Sequence, residues 1–404
     1  MALQLVVGGG RHGRARLAAD RLVGNRREVA DDAPSGDTLS TRRRERAAGW
    51  VPKFSWYKRT IRGAHARAAR AGGRTTRRRG IAMNPAETLK QRIADGEVIV
   101  IDGGMGTELD RRGVPIHEFA WSAPAALEHK DEVRAAHEDF IRAGADVIIT
   151  NTYMAGHKAL EIAGMRDRAA EINRRSVEAA REARDNVADR PVVVAGSIFP
   201  GYIPNRESIA FPTAEDDADE LSAAAREQAQ VLIEAGVDLI AFEMIPSTRW
   251  GRLAVDAVAD LGVPIWLGTT YGHQEIVDGP EYLFPIDPPG QVGEQIGGIL
   301  AGKTADVMAV TVMHTAIEDV DHALDDLESH WQGALGVYPH HCEHIPEPPG
   351  IRPLPTDPDE FAAVARRWVE RGVQLLGGCC AIEPKHIAAL REQLPKRVPE
   401  EAAR

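Results

Sequence analysis

Residues 130–151 read KDEVRAAHEDFIRAGADVIITN, and this stretch decides the fold class. Its first part, Lys130 to Ala143, places apolar residues near i, i+3, i+4 and i+7, the spacing of one buried helix face. Its second part, residues 146 to 150, is a short run rich in β-branched residues that ends on Asn151. The same unit recurs along the chain. Eight such runs are predicted as strands, at 98–102, 146–150, 191–196, 237–243, 264–270, 306–313, 334–337 and 373–377, with amphipathic stretches such as Ala218 to Ala235 between them. Strand then helix, repeated eight times over about 300 residues, predicts an α/β fold of the (β/α)8 TIM-barrel type. A doubly wound open sheet is the alternative, because periodicity carries no information about closure.

Unusual polar residues keep register with these runs. Asp102, Asn151, Ser197, Glu243, Thr270, His314, Tyr338 and the pair Cys379-Cys380 stand at or just after the ends of strands one to eight, in order. In a barrel those ends converge on one face, where the loops from strand to helix build the active site. Scattered surface polarity explains any one of them far better than it explains all eight.

Composition sets the remaining bounds. An apolar fraction of 43% in 404 residues is enough for a sizeable core. The longest apolar runs, such as Val98 to Ile101, are strand-sized and far short of the roughly 20 residues of a spanning helix, so no membrane partner is expected. Three cysteines, two of them adjacent, make no disulfide framework, and a reducing cytoplasm is the expected compartment. The net charge of −11 averages two unlike pieces: residues 1–82 hold 20 Lys+Arg against 6 Asp+Glu, which leaves 29 against 54 for the rest. Only 6 of those 29 bases are Lys, as expected either of a protein kept hydrated in high salt or of a codon bias toward Arg. The first 82 residues, with Arg42-Arg43-Arg44 and Arg77-Arg78-Arg79, show no sustained period and are expected to be disordered. A nucleic-acid arm or targeting peptide fits poorly with the acidic stretch Glu28 to Asp37, so no nucleic-acid partner is expected. Met83 is the expected translation start, with the upstream stretch an over-extended reading frame and residues 83–404 forming the barrel.

The strongest chemical signal is Gly377-Gly378-Cys379-Cys380, directly after the last run. Adjacent cysteines are buried small hydrophobes, a redox pair or metal thiolates. The two glycines allow a sharp turn that brings both sulfurs to one point near the barrel axis. Asp102 and Glu243 are placed to pair with a substrate ammonium in a partly desolvated pocket, and Gly103 and Gly104 leave backbone N–H groups open to a carboxylate. For Asp102 a helix N-cap is the competing role, and for the two glycines a tight turn. Ser197 and Thr270 are weaker candidates for substrate contact, each as well suited to capping a helix or satisfying a loop. Trp121, Trp250, Trp266, Trp331 and Trp368 are expected to pack the core or its helices.

Asp102-Gly103-Gly104-Met105-Gly106-Thr107-Glu108-Leu109, Thr150-Asn151-Thr152-Tyr153, Ala195-Gly196-Ser197, Phe242-Glu243-Met244, Val337-Tyr338-Pro339 and Gly377-Gly378-Cys379-Cys380 together resemble the homocysteine S-methyltransferase family. Each motif alone is weak; six in order, spread over residues 97 to 393, are specific. The resemblance implies a Zn2+ ion held by three cysteines, one after strand six and two in the final pair, with the substrate thiol taking the fourth position. It also implies substrate-binding roles for Asp102 and Glu243.

Two departures bear on the metal. Where the family has Gly-x-Asn-Cys, this chain has Thr311-Val312-Met313-His314, so the expected ligands are His314, Cys379 and Cys380. A Cys2His site is ordinary zinc chemistry and carries one negative charge less. The tract Tyr338-Pro339-His340-His341-Cys342-Glu343-His344 replaces the family's Pro-Asn-Ser-Gly-Glu, making Cys342 or a neighbouring histidine the alternative ligand, loss of the metal a third outcome, and a solvated polar loop the plain reading.

The expected reaction is transfer of a methyl group (EC 2.1.1) from a small activated donor, of S-methylmethionine or betaine type, to homocysteine, forming methionine. Tyr153, Phe199, Tyr202 and Tyr271 lie in the right loops to wall a cationic donor. The chain has no room for folate or cobalamin domains, although a corrinoid partner protein fits the chemistry. The loop from Phe199 to Pro212 departs from the family's Gly-Pro-Tyr-Gly and leaves the donor open. A zinc-free binding barrel and a zinc lyase or hydrolase are the other readings.

Overall fold

The computed structural model describes residues 84–201, 218–272, 291–303, 305–345 and 350–402. The Arg-rich segment with its start-site reading, Tyr202 and most of the loop from 199 to 212 lie outside these residues. All eight predicted runs are strands: β1 (Ile99–Val100), β2 (Val147–Ile149), β3 (Val193–Ile198), β4 (Leu239–Phe242), β5 (Ile265–Thr269), β6 (Val307–Ala316), β7 (Leu335–His340) and, as the eighth of the barrel, β10 (Val373–Leu376). Between the last two stands an antiparallel hairpin, β8 (Cys342–Ile345) and β9 (Gly350–Pro353). The tract read as a polar loop therefore extends β7 to His340 and then enters β8.

Neighbouring barrel strands pair in parallel in the order β1-β10-β7-β6-β5-β4-β3-β2. A parallel bridge between Ile101 and Val147 joins the two ends of that order. The Asp102 N–H donates to the Val147 carbonyl at 3.0 Å, and the Ile149 N–H returns to Asp102 Oδ2 at 2.8 Å. This settles the choice against an open sheet.

Strand alternation sorts the core into two layers. Ile99, Ile101, Val147, Val193, Leu239 and Trp266 point inward and pack on one another. Val100, Ile148, Val194, Ile240 and Leu267 point outward and meet the helices. Both faces of the barrel strands are covered, which is why the eight runs read as nearly continuous apolar sequence. Burying a side chain such as Leu239 contributes roughly 1.5–3 kcal/mol.

Helix α1 (Pro85–Ala94) supplies Ala86 and Leu89 to the interior layer and so covers the N-terminal mouth of the barrel. Asn84 accepts the Ala86 N–H and Pro85 occupies the first turn, a matched start signal. Of the outer helices, α4 (Lys130–Ala143) packs on α6 (Ala169–Val187) and ends at Gly144, whose φ of +117° lets the chain turn back into β2. Below the barrel, buried Asp146 accepts the Val100 N–H at 3.0 Å and pairs with Arg92, Arg190 and Arg391, pinning β1 and β2 to the C-terminal helix α12 (Pro384–Gln393).

Candidate metal centre

The loop after β10 is built by close backbone contact with the loop after β1. A Cβ on Gly377 would stand 2.7 Å from that of Ile101, and one on Gly378 would collide with the Ile382 side chain. Gly378 N–H donates to the Asp102 carbonyl at 3.0 Å and Cys379 N–H to the Pro339 carbonyl at 2.7 Å. From the other side, Gly104 N–H donates to the Ile382 carbonyl at 3.0 Å. The Thr107 hydroxyl locks the two loops together, donating to the Gly104 carbonyl and accepting the Ala381 N–H, each at 3.0 Å. Gly104 therefore spends its N–H inside the protein, and its lack of a side chain serves this contact, since a Cβ there would lie 2.5 Å from the Cys379 carbonyl oxygen. Gly104→Ala is expected to cost about 1–3 kcal/mol by overpacking. It should also weaken metal binding on the order of 10-fold to 100-fold, as loss of an outer support does. Urea melts beside a metal titration would check both.

This loop brings the two cysteines to His314. The pairing of β6 with β7 changes register between Met313 and Ala316, and His314 sits in that break with φ +45°. A bulge of this kind re-aims a side chain, here across the barrel mouth. His314 Nδ1 stands 3.4 Å from Cys379 Sγ and 3.7 Å from Cys380 Sγ, and the two sulfurs are 3.8 Å apart. Around a tetrahedral zinc two thiolate sulfurs stand about 3.8 Å apart, and sulfur and nitrogen about 3.6 Å apart. The triangle therefore fits such an ion, with one vertex left over. Among the described residues this is the one group of three or more His, Cys, Asp or Glu side chains with ligand atoms so close together. Cys342 is not one of the three; the Cys380 thiol holds its pKa below the ordinary thiol range, while the neighbouring thiols of Cys342 and Cys379 and burial hold Cys380 well above it.

The carboxylates gather beside this triangle. Glu243 is buried just beyond β4; Oε2 accepts from the Ser197 hydroxyl, and Oε1 accepts from the Tyr338 hydroxyl at 3.1 Å. Burial raises its pKa above the usual range. Asp102, also buried, is held well above its ordinary value by desolvation and, to a lesser extent, by the Glu243 charge. No described Lys or Arg pairs with either. The helix after Asp102, α2 (Met105–Arg111), is capped by Gly104, so Asp102 is not the N-cap; one of its oxygens stitches β1 to β2 instead. Two buried acids so near each other form a pocket of negative potential that favours an incoming cation.

Aromatic rings border the same space. Tyr153 and Phe199 have centroids 5.1 Å apart, and the Tyr153 hydroxyl donates to Met244 Sδ at 3.0 Å. Burial raises the Tyr153 pKa well above 10, and the charges of Glu243, Cys379 and Cys380 add to the shift, which places the ring among them. Tyr271 faces elsewhere, stacking at 6.4 Å on His322. Backbone strain clusters here too: Met244 (φ +51°), His314 and Ala381 (φ +71°) are three of the four described non-glycine residues with positive φ.

Of the residues singled out in the sequence, Asp102, Ser197, Glu243, His314, Cys379 and Cys380 therefore meet at one barrel mouth. Thr270 is buried with its hydroxyl 3.6 Å from the sulfur of Met313, the residue before His314. Asn151 is used structurally, exchanging hydrogen bonds of 2.6 and 2.7 Å with Ser122. Tyr338 was missed as a site residue although its strand-end position pointed to it. Thr107 carried no signal of its loop-locking role, which depends on a residue 274 positions away.

The sequence model of the family described as homocysteine S-methyltransferase matches residues 99–394. The chain belongs to the homocysteine S-methyltransferase family. Homocysteine S-methyltransferase 1 of Arabidopsis thaliana is 28% identical over 321 residues, covering 75% of this chain and 95% of that protein. Homocysteine S-methyltransferase 1 of Zea mays is 30% identical, covering 75% and 96%. The selenocysteine methyltransferase of Astragalus bisulcatus is 28% identical, covering 73% and 92%. Among solved structures, the metallated form of the homocysteine methyltransferase MmuM from Escherichia coli matches with a TM-score of 0.60 at 25% identity, covering 76% of this chain and 99% of that one. As a member of the homocysteine S-methyltransferase family the chain is a transferase that moves methyl groups to a thiol of a small molecule. No described helix is long and apolar enough to cross a membrane.

Proposed function

We propose that this enzyme methylates homocysteine, taking the methyl group from a small cationic donor of sulfonium or quaternary-ammonium type, with zinc held by His314 Nδ1 and the sulfurs of Cys379 and Cys380. The observation that carries this reading is the zinc-sized triangle beside two buried acids that no described Lys or Arg pairs with. When bound, the ion supplies Lewis acidity that lowers the acceptor thiol's pKa from about 8.5, so that a nucleophile exists at neutral pH. Glu243 and Asp102 bind the acceptor's ammonium, which relieves the repulsion between the two acids. Ser197 and Tyr338 hold the Glu243 carboxylate in place, each by a hydrogen bond to one oxygen. Tyr153 and Phe199 present their rings to the donor cation and keep water from the transferring methyl group. A bond forms from the acceptor sulfur to the methyl carbon as the donor's C–S or C–N bond breaks, and the donor leaves neutral. No acid is needed to protonate it.

Glu243→Gln tests the ammonium assignment. It is expected to lower kcat/KM for homocysteine on the order of 10-fold to 100-fold, the loss of a charged hydrogen bond worth about 1.5–3 kcal/mol. The rate with a thiol that lacks the amino group should change little, and the metal content should hold. Equal losses with both acceptors would sink the assignment. Product analysis with S-methylmethionine and glycine betaine as rival donors decides the donor class; methionine from neither would overturn the donor reading.

A further inference from the structure

Side chains hold the backbone of Ser197 where the neighbouring strand has run out. Ser197 lies on β3, and its N–H and carbonyl face β2, whose pairing with β3 ends at Ile149 and Ala195. Beyond that point the Thr150 N–H still donates to the Ala195 carbonyl at 2.9 Å, and then two hydroxyls take over. The Ser197 N–H donates to Thr150 Oγ1 at 3.2 Å, the Oγ1 atoms of Thr150 and Thr152 stand 2.7 Å apart, and the Thr152 hydroxyl donates to the Ser197 carbonyl at 2.7 Å. A hydroxyl has one proton to give. Thr152 gives its own to Ser197, so Thr150 donates to Thr152, and the bonds close into a ring that runs in one direction.

Thr150, Thr152 and Ser197 are all buried, where the bonds of such a ring polarise and strengthen one another. The ring is anchored from outside the barrel. Gln228, buried on α7 (Ala218–Ala235), donates to the Thr152 carbonyl at 3.0 Å and to Asn173 Oδ1 at 3.2 Å. Asn173, buried on α6, donates in turn to the Ala155 carbonyl at 2.8 Å. What the ring leaves free is the Ser197 hydroxyl, which donates to Glu243 Oε2. A serine oxygen is one rotatable bond from the backbone, so fixing both backbone groups leaves that hydroxyl a few staggered directions only.

We infer that the fully buried Thr152 is a positioning residue for the acceptor's ammonium, aiming Glu243 through the main chain of Ser197. The inference rests on the reading of Glu243 as the ammonium partner. Without the Thr152 hydroxyl the buried Ser197 carbonyl loses this donor, and the end of β3 shifts to recover one. The Glu243 carboxylate then loses its set place. An acceptor anchored through its amino group feels that change, and one bound through its sulfur alone does not. A strand cap that served stability only would affect both acceptors alike.

Thr152→Val, which removes the hydroxyl at nearly constant volume, tests this in the full-length protein. It is expected to raise KM for homocysteine about 10-fold with kcat held within about two-fold. The kcat/KM for γ-mercaptobutyrate, which is homocysteine without its amino group, should not change. Thr152→Ser keeps the hydroxyl and should restore the wild-type KM. In a Ser197→Ala background Thr152→Val should add no further loss, because the link it acts through is already gone. Equal losses with both acceptors, an unchanged KM, or a full additional loss in that background would each overturn the inference. Thr150→Val opens the same ring at its other corner and carries the same expectations should Thr152→Val not fold. Glu243→Gln run beside them separates the two levels. Equal losses with both acceptors in Glu243→Gln would bring down the ammonium reading itself, whereas amino-dependence kept by Glu243→Gln and absent from the threonine variants would bring down only the role of Thr152.

Discussion

Cys379→Ser is expected to lower kcat/KM for thiol methylation on the order of 10³-fold, about 4 kcal/mol, with metal content falling from near one per chain toward zero. The size follows from geometry as well as from ligand type. The three donor atoms stand 3.4 to 3.8 Å apart, and Cys379 is a corner on both a sulfur–sulfur and a sulfur–nitrogen edge. Serine shortens the reach and replaces a soft anionic donor with a neutral hydroxyl, so the triangle keeps only two of its three donor atoms. Metal analysis beside an initial-rate assay would check it. A variant that keeps both its metal and more than about a tenth of the rate would show that the ion, if used, sits elsewhere.

The second large effect is on stability in acid. His137 lies fully buried on α4, neither ring nitrogen has a hydrogen-bond partner, and burial lowers its pKa to about 3. Its folded pKa lies below the unfolded value, so below about pH 6.5 the unfolded chain takes up a proton that the folded ring refuses. Stability is therefore lost as pH falls from about 6.5 toward 3, by about 2 kcal/mol at pH 5 and about 4 kcal/mol at pH 3. Asp102 and Glu243 act in the opposite sense: their folded pKa values are raised, so protonation favours the folded state. Comparing His137→Leu with the wild type isolates the histidine. Between pH 7.5 and pH 5 the wild type should lose about 2 kcal/mol more than the variant in urea melts; equal losses would move the acid sensitivity to another group.

Much of this was legible in the sequence because barrel strands encode position twice. The inward and outward layers are both apolar, so runs such as 191–196 and 237–243 stand out, and the polar residue ending each run marks the catalytic face. Closure was not legible, since the Ile101–Val147 bridge and the Asp102 carboxylate that reinforces it join segments about 46 residues apart without any periodic trace. The three side chains of the triangle, His314, Cys379 and Cys380, were legible by type and by register with the strands. The bulge that aims His314 was not, because positive φ at a non-glycine residue has no sequence signature. The tract from Tyr338 to His344 shows the same limit: its polarity suggested a loop, whereas strand β7 carries through it as far as His340. Glycine was the most misleading letter. Gly104 suggested an open N–H for a ligand, and the structure spends that N–H on the Ile382 carbonyl.

The two loops locked by Thr107 come from opposite ends of the barrel's chain order, and the triangle they support needs Cys379 and Cys380, which directly follow the last barrel strand, β10. On the ribosome, β1 to β7 can be complete while the reactive centre does not yet exist. The triangle of His314, Cys379 and Cys380 therefore cannot assemble on a nascent chain until its last barrel strand has left the exit tunnel and docked between β7 and β1. Assembly of the site waits until the ring is whole.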